Sequence, residues 1–120
     1  MALNSSNPVI VADGLGKRFG DVIAVDSMSF QVCPGETVAL LGGNGAGKPT
    51  TMAMLLGLLT PSTGQVRIFG AHMVHDRYKV LARMNFSSPY VDLPRRLTPR
   101  ENLTVYGHLY GVRSVAERVE

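Results

Sequence analysis

The sequence is poor in the features that mark secreted, disulfide-stabilised or membrane-spanning proteins. Its one cysteine, Cys33, cannot form an intrachain disulfide, and a reducing compartment is favoured. The N-terminus has no basic start followed by a long apolar run, which excludes a signal peptide. The longest apolar stretch, residues 52–59, is interrupted by Gly57 and is far shorter than the roughly 20 residues that span a bilayer. We therefore expect a cytoplasmic chain without a transmembrane segment of its own.

The chain also lacks a strong charge of either sign. The net charge is +3, and the densest basic group is formed by Arg95, Arg96 and Arg100. We interpret this group as a solvated face and not as a surface for nucleic acid or acidic membrane, because no aromatic residues are interleaved to stack bases. No nucleic-acid partner is predicted.

What the sequence does contain is enough apolar material for a globular domain. Of its 120 residues, 45% are apolar, which is typical of a soluble α/β protein. Residues 1–8 are interpreted as a polar leader and residues 9–120 as part of one domain. The 37–41 segment is largely apolar and is predicted to be a strand buried on both faces. Alternating or apolar runs predict further strands at residues 9–12, 22–32 and 65–69.

Helices and turns are predicted from helix formers, caps and glycine or proline positions. Thr98, Pro99 and Glu101 are suited to be the N-cap, the first helical residue and the acid of a capping box. After this helix start, large apolar and aromatic residues recur at helical spacing and predict one face of the helix, formed by Leu103, Tyr106, Leu109 and Tyr110. Other helices are expected at residues 50–59 and 76–84, and turns at 17–21, 34–36 and 60–64. Residues 85–88 are predicted to be extended and residues 89–99 irregular.

One motif carries specific chemistry. The seven residues from Gly42 to Lys48 match the start of the phosphate-binding P-loop, G-x-x-x-x-G-K-[ST]. They are Gly42, Gly43, Asn44, Gly45, Ala46, Gly47 and Lys48. Small residues let the backbone wrap around a phosphate, successive N–H groups form an anion-binding nest, and the following helix presents its positive end. Because the loop lies between a predicted strand and a predicted helix, we favour a phosphate site over a merely flexible turn.

The surrounding motifs extend this match. Over nearly its whole length the chain resembles the start of an ATP-binding cassette (ABC) type ATPase domain. Residues 38–48 are similar to the family's Walker A strand and loop, and residues 50–66 to the helix and strand behind them. Residues 14–20 resemble the segment with the adenine-stacking aromatic, a position that Phe19 takes. Residues 97–103 resemble the opening of the helical subdomain, and the style is that of exporters with a separate ATPase chain.

The resemblance implies a fold, a ligand and partners. The fold would be α/β, a P-loop NTPase core with an antiparallel N-terminal β part, a mostly parallel core strand and the start of a helical subdomain. The ligand would be ATP, bound by Phe19, by the loop from Gly42 to Lys48 and by Thr50 and Thr51, with Mg²⁺ expected for the family. The partners would be a transmembrane permease subunit and a second ATP-binding subunit, so the chain would lie on the cytoplasmic face of a membrane.

The chain departs from the family at Pro49. The family has serine or threonine there, whose hydroxyl binds Mg²⁺, whereas proline has neither hydroxyl nor N–H. A hydrogen bond to a charged group is worth about 1.5–3 kcal/mol, so its loss is expected to weaken binding about tenfold to a hundredfold. Thr50 is turned by about 100° along the helix and is not expected to replace the hydroxyl. We hypothesise weak nucleotide binding that has lost most of its Mg²⁺ dependence.

Other catalytic elements of the family have no counterpart in the sequence. Ser88 or Pro89 lies where the family has a glutamine, and no L-S-G-G-Q-like signature or acid-ended apolar strand follows. The three histidines and the two later aspartates lie in other contexts, namely His72, His75, His108, Asp76 and Asp92. We therefore expect a truncated cassette domain without catalytic residues or metal ligands. Its incomplete sheet is expected to expose apolar surface between residues 38 and 59.

Two further functions remain open. The chain could be a non-catalytic remnant or protein-interaction module that retains the P-loop fold, which Pro49 favours. A small P-loop kinase would need a closing lid and an acceptor site, and the Phe19 segment suits it poorly. ATP turnover distinguishes an ATPase from the non-catalytic module, and phosphoryl transfer to a small acceptor would indicate the kinase.

Overall fold

A computed structural model describes residues 7–88 and 92–119, which form two compact units that divide between residues 81 and 82. The first unit contains four strands, one α-helix and a 3₁₀ turn, and the second contains two α-helices. The elements are β1 (Ile10–Phe19), β2 (Val22–Val32), α1 (Lys48–Leu55), β3 (Thr63–Ile68), β4 (Ala71–His72), two 3₁₀ turns (Arg77–Lys79 and Leu81–Arg83), α2 (Pro99–Leu109) and α3 (Val115–Val119). Most of the predicted leader, residues 1–6, lies outside the described residues.

Strands β1 and β2 form a long antiparallel hairpin. The pairing runs from Ile10 opposite Val32 to Phe19 opposite Val22, and Gly20 turns the chain with a positive φ of 57°. The prediction for β2 is confirmed. The strand predicted at 9–12 is confirmed over residues 10–12 but extends to Phe19, and the turn predicted over 17–21 is confined to residues 20–21, because residues 17–19 pair with β2. Cross-strand pairing therefore extends β1 through residues 17–19 and leaves the turn to Gly20 and Asp21.

Strands β3 and β4 complete an antiparallel sheet of order β2-β1-β3-β4. The predicted strand at residues 65–69 is confirmed as β3, which begins two residues earlier, at Thr63. The alternation of its side chains between the two faces of the sheet buries Val66 and Ile68. Helix α1 contacts both β2 and β3. The core of this unit is centred on Leu15, Met54, Val66 and Met73, each with at most 1% of its surface exposed. Burial of such a side chain contributes about 1.5–3 kcal/mol, so these contacts fix α1 on the sheet.

Helix α1 is shorter than predicted and begins two residues earlier. The predicted helix over 50–59 instead ends at Leu55, with Leu56 as C-cap and Gly57 in a left-handed conformation with φ 68°. The Gly57 N–H donates to the Met54 carbonyl, and the Leu58 N–H donates to the Ala53 carbonyl. These two bonds form a Schellman motif, which satisfies terminal carbonyls and stops the helix.

The 37–41 segment is not a strand, which corrects the prediction of a core strand buried on both faces. It has no regular structure, and Val38 and Leu41 are 58% and 86% exposed. A parallel central strand needs paired neighbours on both sides, and none of the described strands pairs with this segment. The expected exposure of apolar surface is confirmed here and at Met52 and Leu58.

The second unit is built around the predicted capped helix. Thr98 is the N-cap of α2, its hydroxyl accepts from the Glu101 N–H, and the Glu101 carboxylate accepts from the Thr98 N–H at 2.7 Å. The capping box is therefore confirmed. The Asn102 side chain is buried and donates to the carbonyls of Pro94, Leu97 and Thr98. Residues 85–88 form no strand, and residues 89–91 of the predicted irregular segment lie outside the described ranges.

Two further predictions concern helices. The helix predicted over 76–84 is replaced by the two 3₁₀ turns. Across residues 7–88 and 92–119, no helix combines the length and the hydropathy needed to cross a bilayer.

Candidate nucleotide-binding site

The P-loop is an irregular loop whose glycines adopt conformations that other residues rarely take. Gly45 and Gly47 have φ values of 84° and 76°, in the left-handed region. The Ala46 N–H donates to the Gly43 carbonyl at 3.2 Å, which closes a turn within the loop. The sequence of small residues therefore serves the predicted purpose of a tightly curved backbone.

Gly47 anchors the end of the loop against the sheet. A Cβ atom at this position would lie 2.2 Å from the carbonyl oxygen of Ala24 and 2.9 Å from a methyl group of Val25, both in β2. A carbon atom cannot lie this close to the Ala24 carbonyl oxygen without a shift of the backbone. Glycine is thus required at this position both by its φ value and by the approach of the loop to β2.

Lys48 places its charge at the other end of the same loop. Its ammonium donates to the carbonyl oxygens of Gly42 and Gly43 at 2.5 and 2.7 Å. Bonds from a charged donor are stronger than neutral ones, so Lys48 closes the loop in this structure. The lysine is half-buried, which leaves part of it accessible to a bound anion.

Helix α1 adds a second source of positive potential. Gly47 is its N-cap, Lys48 and Pro49 are its first two residues, and its first turn contains no acidic residue. The unpaired N–H groups and the dipole of a helix N-terminus attract anions. Pro49 is accepted in the first turn, but its missing N–H removes one donor.

The two threonines predicted as ligands are placed differently. Thr50 is half-buried on α1. Thr51 is fully buried, and its hydroxyl donates to the Gly47 carbonyl at 3.0 Å, an oxygen that also accepts from the Thr51 N–H at 2.8 Å. Thr51 therefore braces the turn between the loop and the helix in this structure, on the core side of α1.

Phe19, predicted to stack on adenine, is the last residue of β1. The residue is 51% exposed, and the Lys17 ammonium lies 5.2 Å from the centroid of its ring. Lys17 also donates to the Thr60 carbonyl at 2.8 Å, which holds the cation beside the aromatic face. Phe19 pairs with Val22 at the start of β2, the strand whose residues Ala24 and Val25 contact Gly47.

The residues around the loop do not fit Mg²⁺. Mg²⁺ prefers carboxylate and hydroxyl oxygens in octahedral geometry, but Pro49 has no side-chain oxygen and the Thr51 hydroxyl is buried. The carbonyls of Gly42 and Gly43 already accept from Lys48. In the described parts of the chain, no three His, Cys, Asp or Glu residues are grouped to hold a metal ion.

Sequence reasoning did not identify Ala24 and Val25 as part of the site, nor the bracing role of Thr51. The contact of Gly47 with β2 joins residues more than 20 positions apart and leaves no local signal in the sequence. The Thr51 bond to Gly47 spans four residues, and a threonine early in a predicted helix is the signal that could have revealed it.

A glycine loop followed by a lysine at the start of a helix, beside a sheet, defines the P-loop NTPase class. The sequence model of the ABC transporter family matches residues 25–120 of this chain. The chain is 34% identical over 113 residues to Nod factor export ATP-binding protein I of Ralstonia nicotianae, covering 94% of this chain and 35% of that protein. It is 38% identical over 109 residues to the probable multidrug ABC transporter ATP-binding protein YbhF of Escherichia coli, covering 91% and 19%.

Solved structures agree with the sequence matches. One described as the ATP binding subunit of an ABC transporter has a TM-score of 0.78 at 28% identity, over 92% of this chain and 46% of that chain. The chain therefore belongs to the ABC transporter family and carries part of its ATP-binding cassette, as the sequence resemblance predicted. It spans about a third of the Nod factor export relatives, 35% of the one from Ralstonia nicotianae.

Proposed function

We propose that this chain binds ATP through its P-loop, as part of an ABC transporter ATPase that couples ATP hydrolysis to transport. The observation that carries the proposal is the loop itself, with Gly47 seated on β2 and the Lys48 ammonium bonded to Gly42 and Gly43 at the start of α1. This arrangement concentrates positive potential where successive N–H groups are available. A polyphosphate that displaces the carbonyls from Lys48 would bind the same ammonium.

Export is the proposed direction of transport. The relatives named for Nod factor export support this direction, and the family match supports transport in general. The proposed partners are a transmembrane permease subunit and a second ATP-binding subunit, with the chain on the cytoplasmic face of the membrane. The proposed domain covers residues 9–120 and includes the start of the helical subdomain at α2.

The proposed site comprises Phe19, the loop residues Gly42, Gly43, Asn44, Gly45, Ala46, Gly47 and Lys48, and Thr50. The Thr51 assignment requires movement, because its side chain is buried in the described structure. Phe19 would stack on the base through the ring face that Lys17 does not cover.

The test of phosphate binding is equilibrium titration of ATP into the wild-type chain and the Lys48→Ala variant. Lys48→Ala should weaken binding at least tenfold, because a charge-assisted bond is worth about 1.5–3 kcal/mol. Lys79→Ala removes the same charge from an exposed residue paired with Asp76 and should leave binding unchanged. Equal binding by both variants and the wild type would contradict a site at the P-loop.

The test of the Phe19 assignment compares ATP with inorganic tripolyphosphate. Phe19→Ala should weaken ATP binding about threefold to tenfold, the value of one aromatic stack, and leave tripolyphosphate binding unchanged. A variant that binds both ligands as the wild type does would exclude Phe19 from the base site.

The chain is proposed to be deficient in hydrolysis. Pro49 in place of the serine or threonine and the lack of a glutamine in residues 85–88 support this proposal. The alternative, a non-catalytic module that uses the fold for protein interaction, is favoured by the same substitution. ATP turnover by the wild-type chain that is abolished in Lys48→Ala would contradict both the deficiency and the alternative.

A further inference from the structure

The helix position after Lys48 decides how the charge of a bound polyphosphate is neutralised. In the P-loop motif a serine or threonine at this position supplies an N–H to the phosphates and a hydroxyl to Mg²⁺. Here Pro49 is the second residue of α1 and supplies neither group. The missing N–H weakens the hold on the phosphates, and the missing hydroxyl weakens the hold on the metal. These two effects can be separated by substitution.

The neighbouring hydroxyls do not replace the missing one. The Thr51 hydroxyl donates to Gly47 from a fully buried position, so turning it outward would break a buried hydrogen bond and open the core. Thr50 is displaced from Pro49 by about 100° around the helix axis. The first turn of α1 contains no acidic residue that could bind a cation in their place.

The groups that remain all attract anions. They are the N–H groups of the loop and of the first turn, the positive end of α1 and the Lys48 ammonium. Metal-free ATP carries a higher negative charge than its Mg²⁺ complex, so such a donor set attracts the free form at least as strongly. The donors of the site are therefore suited to bind a polyphosphate without metal, and the site has no side chain that would bind the metal ion itself.

We infer that this P-loop takes ATP as the metal-free polyanion, held by Lys48 and the start of α1. The inference rests on the proposed nucleotide binding and specifies the form of the ligand. It predicts that Mg²⁺ gives no gain in affinity to the wild-type chain. It also predicts that restoring a hydroxyl at position 49 is sufficient to create a preference for Mg²⁺.

The experiment is calorimetric titration of ATP into the 120-residue chain, once in Mg²⁺ and once in a chelator. The wild type should bind equally well in the two buffers or more weakly in Mg²⁺. Pro49→Ala restores the N–H alone. It should tighten ATP binding about tenfold, and by the same factor in both buffers. Pro49→Ser restores both groups and should add a preference for Mg²⁺ of about tenfold or more.

Each alternative outcome contradicts a stated part of the inference. A wild type that requires Mg²⁺ overturns it, and loss of that requirement in Thr50→Val would identify the replacing hydroxyl. Indifference of Pro49→Ser to Mg²⁺ also overturns it, because the hydroxyl at 49 would then not be the deciding group. Failure of the wild type and every variant to bind ATP contradicts the proposed function, and the inference with it.

A second measurement keeps the test independent of the folding of these variants. In a complete ABC ATP-binding protein that has serine or threonine after the P-loop lysine, proline is placed at that position. The substitution should remove the preference of ATP binding for Mg²⁺ and leave weaker, metal-indifferent binding. Retention of the full Mg²⁺ preference in that variant would contradict the inference.

Discussion

The β1–β2–β3 sheet and the 37–41 segment are both rich in apolar residues, yet only the sheet forms. Leu15 in β1 is fully buried, whereas Leu41 is 86% exposed. Strand β1 finds its partner β2 across a two-residue turn, and closure of such a short loop costs little entropy. A parallel strand depends on partners that arrive from distant parts of a chain. Apolar content thus predicts a strand only where the partner strands are also present.

This contrast divides the P-loop into two halves. The half that ends at Gly47 is seated on β2 and braced by Thr51, so the formed sheet supports it. The half that begins at Gly42 follows the exposed 37–41 segment and is held by the Lys48 ammonium. A ligand that competes for Lys48 therefore acts on the less supported half.

The largest expected difference in the free energy of unfolding is between alanine substitutions at two leucines, Leu15 in the sheet and Leu41 in the 37–41 segment. Leu15→Ala should lower the free energy of unfolding by about 3–5 kcal/mol, the cost of a cavity in a packed core. Leu41→Ala removes the same atoms from an exposed position and should change it by less than about 0.5 kcal/mol. Urea unfolding of the two variants measures both values. Equal losses would mean that residues 37–41 are packed in solution.

Alanine substitutions at Gly47 and Gly43, one in each half of the loop, should differ nearly as much in their effect on the free energy of unfolding. Gly47→Ala is expected to cost about 2–3 kcal/mol, because the alanine must take a left-handed conformation and meets the Ala24 carbonyl. Gly43→Ala should cost less than about 0.5 kcal/mol, since no atom lies within 4 Å of the added carbon. The same urea experiment compares them, and a larger loss for Gly43→Ala would reverse the assignment of the supported half.

A smaller effect is expected at Thr51. Thr51→Val keeps the buried shape and removes the hydroxyl bond to Gly47, which should cost about 1 kcal/mol of unfolding free energy. The cost stays small because the Gly47 carbonyl still accepts from the backbone N–H of residue 51. ATP affinity should fall by less than about threefold, since the hydroxyl is fully buried and bonded to the Gly47 carbonyl, out of reach of a bound phosphate. A tenfold loss of affinity would restore Thr51 as a ligand.

The smallest effect is a pH dependence of the second unit, where local sequence alone sets a helix start. Hydrogen bonds from the Thr98 N–H, and then from its hydroxyl, lower the pKa of Glu101 below its ordinary value of 4.5. A lowered folded-state pKa gives stability that is fully present above the unfolded-state pKa and is lost as the pH falls through the folded-state pKa. Circular dichroism of the full chain should show helix loss over this acidic range.

Glu101→Gln provides the matched control for this prediction. The glutamine side chain can still accept from the Thr98 N–H, as the capping box requires, but it does not titrate. The acid-induced loss of helix should therefore be smaller in Glu101→Gln than in the wild type. Identical acid profiles would show that Glu101 does not control the start of α2.

The sequence predicts best what is decided locally. The capping box at Thr98 and Glu101, the strand β2 and the glycine loop depend on short spacings and were predicted. The bounds of β1 and α1 were not, because cross-strand pairing extends β1 to Phe19 and the Schellman motif stops α1 at Leu55. The support of Gly47 by β2 and the burial of Thr51 depend on tertiary packing and could not be predicted from neighbouring residues.

ATP binding at the P-loop is tested most directly by a nuclear magnetic resonance titration of the labelled chain with ATP. If ATP binds at the P-loop, the backbone N–H signals of residues 43–48 should shift most, signals of Phe19 should shift less, and Lys48→Ala should suppress these shifts. Shifts centred on α2, or shifts that persist unchanged in Lys48→Ala, would contradict ATP binding at the P-loop.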